Sequence, residues 1–163
     1  MQIYRILERV TPLKSDCGLL CNKACCDGGD EDLGMYLFPG EEVLLSGIGY
    51  FRITPTDIQL DNGSKVLLAN CDGKCDRKFR PLACRIFPLT PYVTYRRTLT
   101  LEMDIRAIGT CPLAKGNTLS LQPDFIRAVR QGIRIMSQDS DILSFLEMLS
   151  RILDEYAQLP DLL

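Results

Sequence analysis

The sequence predicts an α+β fold: a cysteine-rich part carrying a small antiparallel sheet, closed by an antiparallel helix pair at its C-terminal end. Three observations predict it. Residues 93–106 alternate strictly between two sets of side chains, the period of a half-buried strand. Residues 123–157 switch to apolar spacings of three and four, the period of an amphipathic helix. Eight cysteines stand before that switch, four of them within ten residues. With 163 residues the chain reads as a single domain, 1–163, in which 1–121 form the cysteine-rich α+β part and 122–158 a helical hairpin packed on it. That length buries a proper core without covalent staples.

The elements follow in order. Residues 1–15 carry weak signals: Tyr4, Leu7 and Val10 recur at helical spacing, and Pro12 soon interrupts. Ser15 or Asp16 is a good N-cap for a helix within residues 16–26. Residues 27–34, DGGDEDLG, read as an acidic, glycine-rich loop. Residues 35–47 are apolar at both ends, with the turn signal Pro39-Gly40 between them. Glu41 and Glu42 after that turn read as carboxylates at a helix start. Residues 50–54, YFRIT, predict a short strand, and residues 57–60 and 65–69 flank Asp61-Asn62-Gly63 as a hairpin.

In the alternating stretch, Val93, Tyr95, Arg97, Leu99, Leu101, Met103 and Ile105 fall on one side, and Thr94, Arg96, Thr98, Thr100, Glu102, Asp104 and Arg106 on the other. That is long for one strand, and a turn near Arg96-Arg97 makes it two. Pro123 opens a helix to about Ser137, with Phe125, Val129, Gly132, Ile133 and Met136 on one face. A second helix runs from about Ser140 to Ala157, with a stripe of Ile142, Phe145, Leu146, Leu149, Ile152, Leu153 and Tyr156. The short link at Gln138-Asp139 makes the two helices antiparallel neighbours. The stripe reads as core packing against the sheet, with a homodimer through the C-terminal helices as the minor alternative.

Composition excludes several function classes. The chain is 46% apolar and 25% charged, ordinary for a globular domain. A net charge of -2 without a block of like charges gives no electrostatic case for nucleic acid. Tyr92 and Tyr95 near Arg96 and Arg97 therefore read as a hairpin with exposed arginines, not as a single-strand nucleic-acid face. No run approaches the roughly 18–20 apolar residues that span a bilayer, and Arg5, Glu8 and Arg9 interrupt any apolar leader. The expected location is the cytoplasm, with no membrane association. There, clustered cysteines more often bind metal or act in redox chemistry than pair as disulfides. Histidine is absent, which excludes Ser-His and Cys-His nucleophile pairs and HExxH zinc sites. Gly-rich phosphate loops are absent too. Asp27, Asp30, Glu31 and Asp32 fail the EF-hand test, since the twelfth position counted from Asp27 is Phe38 where a bidentate Glu is needed. No catalytic residue stands out.

The cysteines carry the chemistry. Cys17, Cys21, Cys25 and Cys26 form CGLLCNKACC, and Cys71, Cys75, Cys84 and Cys111 follow in CDGKC, LACRIFP and TCPL. All eight are candidate metal ligands. On a straight helix, thiols four residues apart lie about 6 Å apart along the axis, and Cys17 and Cys25 about 12 Å. So either the segment is not one helix, or its thiols divide between sites. Adjacent Cys25 and Cys26 are expected to point in different directions, which favours division. Eight thiols make two four-cysteine sites, and the neatest partition takes two early and two late cysteines for each. Soft thiolates select zinc, iron–sulfur clusters or Cu(I), and a zinc site of four thiolates is closed and structural. Lys74, Arg77, Lys78, Arg80 and Arg85, against Asp76, provide cations that favour thiolates. The bland reading of one or two of the cysteines is a small buried hydrophobe.

CGLLCNKACC, followed by RPLACRIFP and CPL, resembles the zinc- or iron-chelating CxxCxxCC proteins, a group that includes YkgJ-like proteins and flagellin lysine N-methylases. The matching positions are Cys17, Cys21, Cys25 and Cys26; Cys71 or Cys75; Arg80, Pro81, Cys84, Arg85, Phe87 and Pro88; and Cys111 with Pro112. The resemblance covers roughly residues 16–113. Its spacing here is C-x3-C-x3-CC, where the family has C-x2-C-x2-CC. It implies a metal-binding fold and little about substrate. The expected function is a cytoplasmic protein whose cysteines hold zinc that mainly stabilises the fold. An iron–sulfur protein in electron transfer or an auxiliary redox role is the alternative, and a metal-dependent modifying enzyme the second alternative.

Overall fold

A computed structural model describes residues 2–26, 34–73, 75–116 and 120–159. Along the chain stand α1 (Gln2–Ile6), α2 (Gly18–Cys21), a 3-10 turn at Ala24–Cys26, β1 (Met35–Tyr36) and α3 (Glu42–Leu45). They are followed by β2 (Phe51–Gln59), β3 (Lys65–Cys71), a 3-10 turn at Arg77–Phe79 and α4 (Leu82–Ile86). Then come β4 (Leu89–Val93), β5 (Leu99–Met103), 3-10 turns at Ile105–Ala107 and Pro112–Lys115, α5 (Pro123–Met136) and α6 (Ser140–Ala157). The fold is α+β, with small antiparallel sheets and two helices at its C-terminal end. The acidic loop with Asp27, Asp30, Glu31 and Asp32 lies outside the described residues, as does Lys74.

The first sheet has the order β1-β3-β2 and is antiparallel throughout. Its β2–β3 hairpin turns at Asp61-Asn62-Gly63, as expected. Gly63 takes a positive φ of 81°, Leu60 N donates to Ser64 O at 2.9 Å, and the Asn62 side chain accepts from Ser64 N. Residues 50–54 and 57–60, expected as separate strands, belong to one. Pro55 sits within it and the register shifts between Pro55 and Gln59. An edge strand tolerates the missing N–H of proline, and β2 is an edge.

The second sheet pairs β4 with β5, from Leu89 opposite Met103 to Val93 opposite Leu99. The alternating stretch is thus a hairpin, and its turn lies at Thr94–Thr98. Thr94 N donates to Thr98 O at 3.0 Å and Arg97 adopts a positive φ of 58°. The alternation does not mean one continuous face there. Tyr95 is 87% exposed at the turn, while Leu99 and Leu101 pack on the core.

The C-terminal helices form where the apolar periodicity is longest. Phe125, Val129, Gly132, Ile133 and Met136 are all buried on α5. On α6, Ile142, Phe145, Leu146, Leu149 and Leu153 are buried and Tyr156 is exposed. Asp139 caps α6, its carboxylate accepting from Asp141 N and Ile142 N at 2.9 and 3.2 Å. The α6 stripe faces the chain's own β4, and α5 lies against α1. Buried Ser150 stitches α6 to β4: it accepts from Val93 N at 2.8 Å and donates to Leu146 O at 2.7 Å. α1 can approach α5 closely because Gly132 lies at the contact. A Cβ there would stand 2.5 Å from Ile3 Cδ1. One core cluster runs from Ile3 to Leu153, with the Phe38 and Phe145 rings 4.9 Å apart inside it. Each such fully buried side chain contributes about 1.5–3 kcal/mol. Among the described residues, no helix is long and apolar enough to cross a membrane.

Candidate metal centre

The first four cysteines lie on a broken helix. The Asp16 carboxylate accepts from Gly18 N at 2.9 Å, and a single turn runs to Cys21. Asn22 and Lys23 then both take left-handed backbone angles, with φ of 48° and 58°. Two such residues in succession end a helix. Lys23 N closes back on Gly18 O at 2.9 Å, and a 3-10 turn at Ala24–Cys26 follows. The segment is therefore not one straight helix. The break brings Cys17, Cys21 and Cys25 within electrostatic reach of one another. Cys17 also feels Cys111, which is buried beside Ala107 and Ala114. Burial first, and then neighbouring Asp16, Cys111 and Cys21, push the Cys17 thiol up.

A second set forms around Arg80. Its side chain lies beside Cys75 and within electrostatic reach of Cys26 and Cys84. Burial, followed by the neighbouring Cys75 and Cys26, pushes the Cys84 thiol well above its ordinary range. The loop after β3 joins this set to the early segment. Gly73, at φ 78°, passes so close to Cys26 that a Cβ would stand 2.8 Å from the Cys26 carbonyl oxygen. Cys71 ends β3 opposite Phe51 and is half-buried.

Cys25 and Cys26 do not point apart as adjacency suggests. Their thiols interact with each other: Cys25 first, then Arg80 and Lys23, draw Cys26 down to about 6, while Cys25 is pushed up. Each nonetheless has its own neighbours: Cys25 has Cys21 and Cys17, and Cys26 has Arg80 and Cys84. The neighbourhoods are thus three early thiols with Cys111, and one early thiol with Cys75 and Cys84. This is not the even division expected from counting. A cavity of about 350 Å³, lined by Cys21, Asn22, Lys23, Ala24, Cys26 and Gly73, opens between the early segment and the β3 loop. A second cavity of about 390 Å³, between the β4–β5 hairpin and α6, has no cysteine in its lining.

The cations expected to compensate thiolates have different employments. Arg77 donates to the carbonyls of Leu7, Glu8 and Val10, tying the chain after α1 to the later loop. Arg85 donates to Arg77 O, Lys78 O and Arg80 O at 2.6, 2.9 and 2.8 Å. Lys78 lies over the Phe79 ring. Arg80 is the member of the group whose charge stands beside Cys75, Cys26 and Cys84.

One residue of the site's support reads in the sequence only as a helix-start carboxylate. Glu41 is wholly buried and accepts from Phe38 N at 2.9 Å, Leu82 N at 2.7 Å and the Tyr4 hydroxyl. It thereby fixes the first residue of α4, the helix that carries Cys84. The Arg85 guanidinium lies 4.4 Å from the Tyr4 ring centre. Desolvation raises the Glu41 carboxyl above its ordinary value, against the pull of these hydrogen bonds and Arg85.

Among the described residues, no three Cys, Asp or Glu side chains stand together at metal-holding distances. The two sets are gatherings of thiols rather than coordination spheres. Their donor chemistry fits a soft metal. So does Arg80, whose buried Nε has no hydrogen-bond partner beside Cys26, Cys75 and Cys84. A buried cationic donor left open next to thiols favours their anionic, ligating form. No family model, curated protein or solved structure matches this chain.

Proposed function

We propose that this is a cytoplasmic metal-binding protein in which cysteine thiolates hold zinc in two sites, and that the metal mainly stabilises the fold. The observation that carries the reading is the gathering of thiols distant in sequence: Cys17 with Cys111, and Cys26 with Cys75 and Cys84. Cys17, Cys21, Cys25 and Cys111 would hold one ion. Cys26, Cys75 and Cys84 would hold the other, with Cys71 as the remaining thiol. Bound zinc would supply cross-links between segments that otherwise share little apolar contact, and closed thiolate coordination of this kind contributes folding energy outright. The chain's own groups position the donors: Arg80 favours thiolates in the second set, and Gly73 allows the β3 loop to meet Cys26. The resemblance of CGLLCNKACC and RPLACRIFP to the CxxCxxCC proteins points the same way.

The test is metal analysis with a visible spectrum on anaerobically purified protein, followed by chelation. Two zinc ions per chain, no colour, and a large fall in melting temperature on chelation are expected. An unchanged melting temperature on chelation sinks the structural role. Iron with inorganic sulfide and visible absorption that bleaches on reduction replaces zinc by an iron–sulfur cluster on the same thiols.

A further inference from the structure

We propose that the cavity of about 390 Å³ between the β4–β5 hairpin and α6 binds a primary ammonium carried on an apolar body, with the cation at Glu102 and Asp154. No cysteine lines it, so the site is independent of the thiol sets. Its volume falls within the range of small-molecule sites, and Met103, Ile105, Ile108 and Leu153 give it apolar walls. Its lining also holds three carboxylates, Glu102, Asp104 and Asp154, and no Lys or Arg.

The hairpin register brings the polar groups together. Thr90 stands directly opposite Glu102, and Tyr92 opposite Thr100, so these four share one face. Directly opposed side chains stand about 5 Å apart at Cβ. Across from this face, Asp154 of α6 accepts from the Tyr92 hydroxyl at 2.7 Å. Asp154, then burial, then Glu102 push that hydroxyl above its ordinary value, so both carboxylates act on one phenol.

The three carboxylates differ in their partners. Asp104 is buried and already holds the Arg106 guanidinium with both oxygens, at 2.9 and 2.7 Å. Glu102 accepts from Thr100 Oγ1 at 2.9 Å and Asp154 from Tyr92, hydroxyls that leave both charges uncompensated. Among the described residues, neither is ion-paired. Like charges beside apolar walls focus a field that draws a cation. Thr90 is an independent sign of a ligand. It is 4% exposed, it lines the cavity, and its hydroxyl reaches only Pro91 O, at 3.5 Å. That is beyond the ordinary O–H···O range, so a buried hydroxyl keeps its bonding capacity free. An ammonium has three N–H donors and no acceptor, which suits two carboxylates and a hydroxyl oxygen. An anionic ligand would meet like charge.

The experiment titrates the full chain with n-hexylammonium, n-hexanol, n-hexanoate and methylammonium, followed by backbone amide chemical shifts. With hexylammonium, saturable shifts confined to residues 89–92, 102–108 and 153–157 are expected. The other three probes should each bind more weakly by about tenfold or more, since each lacks the cation or the apolar body. Equal binding of hexanol, shifts that spread to the exposed Leu19, Leu20 and Val43, or no saturation at millimolar hexylammonium overturns the inference. Asp154→Asn and Glu102→Gln should each lower hexylammonium affinity about fivefold, the upper range for an exposed ion pair. The melting temperature of the ligand-free variants should hold or rise, because like-charge repulsion is relieved. A melting temperature that falls in step with affinity would make these carboxylates structural and sink the proposal. Asp141→Asn, in the first turn of α6, should leave affinity unchanged. If it weakens binding as much as the other two, net charge alone attracts the probe and the inference fails.

Discussion

Glu41 and Glu42 are neighbours of identical chemistry with different environments. Glu42 starts α3 half-buried, while Glu41 is enclosed among Tyr4, Phe38 and Leu82. Nothing local separates them, because the Tyr4 partner lies 37 residues away. Replacing Glu41 with Ala leaves two buried N–H groups and a phenol without an acceptor. At about 1 kcal/mol or more for each, urea unfolding should show a loss of about 3 kcal/mol. Glu41→Gln isolates the charge. The folded-state carboxyl is raised above its unfolded value, so its stabilising contribution is complete below the ordinary carboxylate range and is lost as pH rises through the raised value. The stability of wild type minus that of the Gln variant should therefore grow as pH falls from neutral. A difference constant across that range refutes the assignment. The thiols obey the same rule of legibility. All eight candidates are visible as residue types, but their neighbours are not. Arg80 is one of five cations in its stretch of sequence, and only its setting in the fold singles it out.

Elements are legible in proportion to their length. α5 and α6 carry whole turns of periodic apolar residues, and their bounds and faces follow from them. Asp139 can be placed at the link between them, and its cap is directly testable. Asp139→Ala should cost about 1 kcal/mol, seen as a lower thermal midpoint without a change of fold. The β2–β3 hairpin is equally open, since Asp61-Asn62-Gly63 names its own turn. Elements of four or five residues are not, because tertiary contacts decide them. α1 buries Ile3 against α5, while of the Tyr4–Leu7–Val10 series Leu7 is buried just past the helix and Tyr4 and Val10 pack half-buried against the core. The break at Asn22-Lys23 has no sequence signal beyond Asn's tolerance of left-handed angles. At the α1–α5 contact, Gly132→Ala brings a methyl onto Ile3. Overpacking there should cost about 1 kcal/mol or more despite the better helix propensity of alanine. In the Ile3→Ala background the same change should be harmless, and a double-mutant cycle measures the difference. Additive effects would show that the two positions do not meet.

At the scale of the molecule, Arg77 couples the thiol-bearing loop to the chain that leaves α1. Removing it should loosen one region and spare another. In Arg77→Ala, amide hydrogen exchange should quicken through residues 2–10 and stay unchanged in β2 and β3. Uniform quickening would mean that the tether supports the whole fold and not its N-terminal arm. The apolar stripe of α6 reads as core, and β4 covers it within the chain.

The packing of α1 on α5 also orders events during synthesis. A ribosome releases α1 and the first four cysteines long before it has made Pro123–Met136. Ile3 has no Gly132 to rest on until α5 has emerged, and Cys17 has no Cys111 beside it until slightly earlier. A nascent chain stalled before residue 123 thus holds its early thiols open to scavenging metals, oxidants and chaperones. Emergence of α5, rather than any local sequence signal, closes that interval.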